Sequence, residues 1–174
     1  MKAVALALFL AGGAPARPPL ECPAGTERRG AAPTDGYEEW CEGKNPYGQG
    51  WRHGPARTYY DDGGLWVEER FREGERDGPF VEYHRNGRKA REGAFSRGRK
   101  VGRWTISSES GQVEESSDWR DGVPDGPFAA FWPDGTRKTD GRYCGGVQCG
   151  RWRTFDAAGR ELGSVDYGEQ SSTP

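Results

Sequence analysis

From Tyr47 onwards the chain can be written in consecutive windows of 24 residues without an insertion, and this period constrains the fold more than any other feature. The windows open at Tyr47, Phe71, Phe95, Trp119 and Tyr143, and Tyr167 begins a truncated sixth. Glycine recurs at the fourth position (Gly50, Gly74, Gly98, Gly122, Gly146), the eighth (Gly54, Gly78, Gly102, Gly126, Gly150) and the seventeenth (Gly63, Gly87, Gly111, Gly135, Gly159). The tenth position carries Ala56, Phe80, Trp104, Phe128 and Trp152. In stacked repeats such an apolar column buries the contact with the neighbouring copy.

The glycine columns read as turns. Asp62, Asn86, Ser110, Asp134 and Ala158 precede the seventeenth-position glycines, and Asn-Gly or Asp-Gly supplies the positive φ angles of a two-residue hairpin turn. The fourth-position glycine reverses the chain again before the next window, which leaves strands of about six to eight residues. The expectation is an all-β chain: an elongated single antiparallel β-sheet, a meander of about five hairpin repeats spanning 47–70, 71–94, 95–118, 119–142 and 143–166. A two-residue turn at Asn86-Gly87 places Phe80 opposite Gly93 and Gly78 opposite Phe95. The same count places Phe128 opposite Gly141 and Gly126 opposite Tyr143. Rings would then cover bare glycines on neighbouring strands. Three positions after the tenth come Tyr59, Tyr83, Ser107, Phe131 and Phe155. Simple alternation turns them to the other face, so either both faces carry rings or a bulge restores one face.

Composition agrees with such a sheet. Mean hydropathy is -0.97 and 30% of residues are charged, yet the formal net charge is only -2 and aromatic residues make up 12%, so rings must supply the burial that aliphatics supply elsewhere. With 28 Gly and 12 Pro, long helices are not expected. The near balance of charge argues against a nucleic-acid partner, which needs a basic stripe.

The first residues carry Lys2, an apolar run from Ala3 to Leu10 and Ala14-Pro15-Ala16, the pattern of a secretory signal peptide over 1–16. The run is too short to span a bilayer. A periplasmic or extracellular location follows, and Cys22 is not expected to be lipidated, because Pro19-Leu20-Glu21 lacks the small residues that precede an acylated cysteine. Four cysteines in an exported chain suggest disulfides. Cys22 and Cys41 bracket a Pro/Gly-rich segment, part of an N-terminal cap over 17–46, and Cys144 and Cys149 flank Gly145-Gly146. Connectivity stays open at this point, since four cysteines pair in three ways. A metal site is not expected: there is no C-x-x-C, and His53 and His84 are scattered. Residues 167–174 form a C-terminal tail.

The run G-x-x-x-G-P-F-x-x-Y-x-x-N-G from Gly74 to Gly87, with G-x-x-x-G-R-W at Gly98 to Trp104 and Gly146 to Trp152, resembles the MORN repeat in its bacterial variant form. The resemblance covers Tyr47 to Tyr167. It implies β-hairpins stacked into an elongated, twisted single sheet, used mainly for protein association and in some members linked to membrane lipid. Many bacterial relatives are labelled antitoxin components, which makes an immunity-type binder of a toxin an alternative role. The chain departs from that role in its signal peptide, and from the family pattern at Ser107-Ser108 of the third copy.

No catalytic constellation is visible and no cofactor is implied. Glu68-Glu69 and Glu114-Glu115 are neighbours along a strand and point to opposite faces. His84 occupies a position held by Tyr60, Trp132 and Asp156 in other copies, which reads as a solvated face. Ser107, Ser108 and Ser110 lack a histidine partner and a G-x-S-x-G setting. The candidate interaction residues are the rings Phe80, Tyr83, Trp104, Phe128, Phe131, Trp132, Trp152 and Phe155, whose plainer role is to pack on one another. A single sheet cannot cover two faces, so some rings should remain exposed to a protein partner. Trp132, beside Pro133-Asp134-Gly135, is the expected outward ring. Arg85, Arg88, Lys89 and Arg91 form a basic cluster that Glu73, Glu75, Asp77, Glu82 and Glu92 nearly cancel, so membrane contact should be weak or absent. Stacking on a cell-wall glycan is a further alternative. The expectation is an exported, monomeric, non-enzymatic binding or scaffold module.

Overall fold

The computed structural model describes residues 17–33 and 37–168. The expected signal peptide lies outside the described residues, as does most of the tail. Twelve strands form one antiparallel sheet in strict chain order. They are β1 (Glu27–Ala31), β2 (Glu38–Lys44), β3 (Gly50–Tyr59), β4 (Leu65–Arg72), β5 (Glu75–Tyr83) and β6 (Lys89–Ser96), followed by β7 (Arg99–Ser107), β8 (Val113–Arg120), β9 (Val123–Phe131), β10 (Arg137–Cys144), β11 (Val147–Phe155) and β12 (Glu161–Asp166). Among the described residues there is no helix. The 24-residue period is kept from β5 on: Glu75, Arg99, Val123 and Val147 each open a strand, and so do Lys89, Val113, Arg137 and Glu161. The cap contributes β1 and β2, which extend the sheet beyond the first repeat.

The turn inside each repeat differs from the expectation, and the two-residue form falls between repeats instead. Two-residue turns with positive φ at both positions join the repeats: Glu73 (52°) and Gly74 (84°), Arg97 (47°) and Gly98 (74°), Asp121 (50°) and Gly122 (86°), Gly145 (58°) and Gly146 (93°). These are the primed turns whose twist matches that of their strands. Inside each repeat the loop is one residue longer. His84 N donates to Arg88 O at 2.8 Å and Gly87 N donates to His84 O at 2.8 Å, with Gly87 at φ 79°. That is a type I turn closed by a left-handed glycine, the three-residue hairpin form. Its carboxamide reaches forward, Arg88 N donating to Asn86 Oδ1 at 3.0 Å, which favours Asn or Asp at this place.

The expected register nevertheless holds: Phe80 faces Gly93, Gly78 faces Phe95, Phe128 faces Gly141 and Gly126 faces Tyr143. Two differences compensate. The longer loop shifts the pairing by one residue, and a bulge shifts it back, with Tyr83 opposite Lys89 but Glu82 opposite Arg91, so that Ala90 is unpaired. Trp66, Glu114, Lys138 and Leu162 are skipped in the same way in the other copies. This bulge lies on the even-numbered strand, so alternation from Phe80 to Tyr83, and from Phe128 to Phe131, is unbroken. Both faces therefore carry rings.

Why the glycines recur also differs from the expectation. Gly78 and Gly126 have φ of 124° and 136°, and a Cβ there would crowd Arg70 or Asp118 rather than a ring. They accommodate the wide irregularity in which Glu69 pairs with Phe80 but Phe71 pairs with Arg76. Gly93 and Gly141 are covered by rings, but those of the next repeat. A Cβ on Gly93 would lie 2.7 Å from Trp104 Cγ, and one on Gly141 2.6 Å from Trp152 Cγ.

Candidate interaction surfaces

On the first face, the rings gather in two triads 48 positions apart. Phe80, Phe95 and Trp104 have centroid separations of 5.5, 5.5 and 5.0 Å. Phe128, Tyr143 and Trp152 have 5.7, 5.3 and 5.0 Å with nearly the same interplanar angles. Edge-to-face contacts of this kind suit the ring quadrupole. The tryptophans are the most buried members, at 5% and 8% exposure. Their indole N–H groups donate to Ala94 O (3.2 Å) and Arg142 O (3.1 Å).

Cations lie over rings of this face in the first three repeats. Arg52 lies 5.1 Å from the Trp40 ring and 5.4 Å from that of Phe71. Arg76 lies 5.9 and 5.4 Å from Phe80 and Phe95, and Lys100 lies 4.3 and 4.5 Å from Trp104 and Trp119. These are cation–π distances. Burial, with the Arg91 charge, holds the Lys100 ammonium below its ordinary pKa. Pro124 and Gln148 stand at the corresponding positions of the last two repeats.

On the second face, Tyr59 donates to Glu39 Oε1 at 2.6 Å, and burial together with that hydrogen bond pushes the phenol up to about 12. Tyr83, Phe131 and Phe155 share this face, all half-buried. Asp140 accepts from Arg153 Nε (2.9 Å), Arg153 Nη2 (2.7 Å) and Arg137 Nη1 (2.7 Å). Burial works to raise its pKa, and the two guanidiniums outweigh burial and hold the carboxyl below the usual range.

The loops along one edge are tied into a ladder that the sequence did not announce. Tyr60 Oη donates to Tyr83 O (2.7 Å), His84 Nε2 to Ser107 O (2.7 Å) and Trp132 Nε1 to Phe155 O (3.2 Å). Three unlike side chains at one repeat position thus make the same bond to the next repeat. Trp132, expected to point outward, is half-buried, with Lys138 Nζ 4.7 Å from its ring. His84, expected on a solvated face, is likewise half-buried and engaged. In the third copy Ser108 turns instead to Ser110 Oγ at 2.8 Å.

The cysteines form two disulfides, Cys22–Cys41 with Cα atoms 5.5 Å apart and Cys144–Cys149 at 5.8 Å. The second occupies a position that other repeats fill with an ion pair: Arg72–Asp77 at 3.7 Å and Arg120–Asp125 at 3.0 Å. The first ties a strap, residues 17–25, across the second face. Leu20 of the strap is 7% exposed, and Cys41 of β2 beneath it is fully buried.

No group of three or more His, Cys, Asp or Glu side chains is placed to hold a metal among the described residues. No helix there is long and apolar enough to cross a membrane. No protein-family model matches the chain, and no curated protein is similar to it. Among solved structures, it is similar to a mutant of S. aureus TarM in complex with fondaparinux, alpha-GlcNAc-glycerol and UDP, at 9% identity and a TM-score of 0.36. That match covers 55% of this chain and 19% of the other, so the chain spans about a fifth of that protein's length. A likeness at that level carries neither fold nor function.

Proposed function

We propose that this chain is an exported, non-enzymatic repeat module of the MORN type that binds another protein through the faces of its sheet. The observation that carries the reading is the single layer itself. Twelve strands in one sheet leave two broad faces, each with half-buried rings flanked by guanidiniums, and no second layer packs on either among the described residues. Aromatic and arginine side chains are the types enriched where proteins meet. Export is supported by the Ala3–Leu10 run and by two disulfides, which persist where thiols are not kept reduced. Arg52, Arg76 and Lys100 are engaged with rings, which favours protein binding over attraction to anionic lipid head groups.

The test is site-specific photo-crosslinking in the native envelope. A photoreactive residue at Thr105 or Ala129 on the second face, or Ile106 or Ala130 on the first, should yield a discrete adduct with another protein. One at the loop residue Ala158 should not. Equal labelling from all five positions, or none from any, would overturn the reading.

A further inference from the structure

The strap crosses the second face at one end of the sheet only, and the surface beneath it recurs, uncovered, at the other end. Under the strap, Glu39 of β2 stands opposite Arg57 of β3 and is 3% exposed. Arg57 Nη1 donates to Glu39 Oε1 at 3.4 Å and to the Pro18 carbonyl of the strap at 2.8 Å. The guanidinium of Arg17 lies 5.9 Å from the Tyr83 ring centroid. At the far end, Asp140 of β10 stands opposite Arg153 of β11 and is 7% exposed. Phe155 follows Arg153 by two residues as Tyr59 follows Arg57. The guanidiniums of Arg153 and Arg137 lie 5.5 Å from the Phe155 ring and 5.8 Å from the Phe131 ring. No described segment crosses this end.

The two ends differ in charge. Beneath the strap, Arg57 has a second acid, Glu68 of β4, at 3.0 Å, and Arg28 lies 4.0 Å from Glu39, so two guanidiniums meet two carboxylates. At the open end the residue opposite Arg153 on β12 is Ser164. Asp140 alone faces Arg137 and Arg153, and the nearby Glu161 is engaged by Arg151 at 2.9 Å. Within ion-pair distance the two guanidiniums therefore share one carboxylate, and Glu161 acts on Arg153 only at longer range. Arg153 Nη1 makes no hydrogen bond among the described residues, whereas Arg57 Nη1 holds the strap carbonyl.

We infer that the open end is a docking site for an extended segment of a partner protein in which an apolar side chain adjoins a carboxylate. This rests on the protein-binding reading above and names its partner chemistry. The apolar side chain lies against Phe131 and Phe155. The carboxylate pairs with the surplus guanidinium charge, as Glu68 does at the strapped end, in the charge-assisted geometry that arginine favours. A backbone carbonyl takes Arg153 Nη1, as Pro18 does on Arg57.

The strap has this chemistry, since Leu20-Glu21 follows Pro18-Pro19. The probe is therefore the acetylated, amidated peptide Arg-Pro-Pro-Leu-Glu, titrated into the intact, disulfide-bonded protein and followed by amide NMR. The strapped end is already occupied, so saturable shifts are expected around Phe131, Asp140, Arg153 and Phe155. Replacing the peptide's Glu by Gln should weaken binding about tenfold, and so should Ser164→Glu in the protein, which supplies the missing acid on an exposed edge strand. Phe131→Ser, which installs the residue type of Ser107 in the third copy, should weaken it comparably. An unchanged one-dimensional amide spectrum for each variant confirms its fold. No saturable shift, shifts confined to the strapped end, or an affinity left unchanged by the Gln peptide and by Ser164→Glu would overturn the site. If the peptide fails while face-specific crosslinks persist, this site falls and protein binding stands; if the crosslinks are absent as well, both fall.

Discussion

Exchanging Gly141 and Trp152 for the pair that the protein uses one repeat earlier should cost far less than the two changes made singly. Ser117 and Phe128 stand opposite each other on β8 and β9, at the positions that Gly141 and Trp152 hold on β10 and β11. Gly141→Ser alone places a Cβ 2.6 Å from Trp152 Cγ and closer still to Cδ2 and Cε2. Ordinary carbon contact is roughly 3.5 Å, so the indole must lift by about 1 Å. Gly141 is not in the left-handed region, so the cost is steric: about 1–3 kcal/mol for overpacking. Lifting the ring also strains the Trp152 Nε1 bond to Arg142 O, worth about 1 kcal/mol. Trp152→Phe alone loses that bond and part of the ring over a bare glycine, about 2 kcal/mol. Additive behaviour predicts about 4–6 kcal/mol for the double variant. The Ser117–Phe128 precedent predicts about 2, a coupling of roughly 2 kcal/mol or more, as found for residues in contact. Urea unfolding of the four proteins, with m-values compared to confirm like transitions, measures it. A double variant additive within about 0.5 kcal/mol would refute the claim that these glycines exist to seat tryptophans.

Three further outcomes follow from the same geometry. Cys144→Arg with Cys149→Asp recreates the ion pair of Arg72–Asp77 and should leave a folded protein less stable by about 2 kcal/mol, whereas removing Cys22–Cys41, which closes a longer loop, should cost about 3; loss of the fold in the first variant would show the bridge to be more than a strap. Tyr59 titrates at about 12 in the fold and near 10 in an unfolded chain, so the unfolded state ionises first and stability should fall as pH rises from about 10 to 12. Urea midpoints of Tyr59→Phe should show a shallower decline over that window, and an identical slope would refute the assignment. Deleting 71–118 leaves Glu69 facing a phenylalanine, Phe128 in place of Phe80, while deleting 95–118 sets Gly93 against Phe128 without its tryptophan. Both should fold, with the 95–118 junction the weaker per remaining repeat in amide exchange, and equal protection at the two junctions would deny the 48-residue alternation.

The sheet and its register were legible because glycine, ring and turn columns repeat, and repetition separates what the fold needs from what a single copy happens to contain. The turn types were not. Asn86-Gly87 carries the strongest short-range signal for a two-residue turn, yet only Gly87 takes positive φ, while Glu73, Arg97 and Asp121 all accept it although only Asp121-Gly122 of these has the dipeptide of such a turn. The register came out right because the unpaired Ala90 offsets the extra loop residue. A bulge of this kind has no sequence mark: its column reads Trp66, Ala90, Glu114, Lys138, Leu162. The roles of Trp132 and His84 were hidden for a related reason. Their column shares only a polar hydrogen in three chemically different side chains, and that is a donor pattern rather than a residue pattern.

A single layer poses a problem that layered folds avoid, because each face must bury enough to hold the sheet yet remain soluble without a partner. The two faces solve it differently. On the first, guanidinium and ammonium groups lie over the rings, so apolar surface is covered by the side chains that solubilise it. On the second, buried acids draw guanidiniums inward, at Glu39 and again at Asp140, and the chain lays its own strap over one of these clusters. The cost of leaving a guanidinium pair with a single carboxylate is modest where water reaches it. That makes the Asp140 end stable enough to stay open and favourable to cover, which is the condition a reversible docking surface must meet.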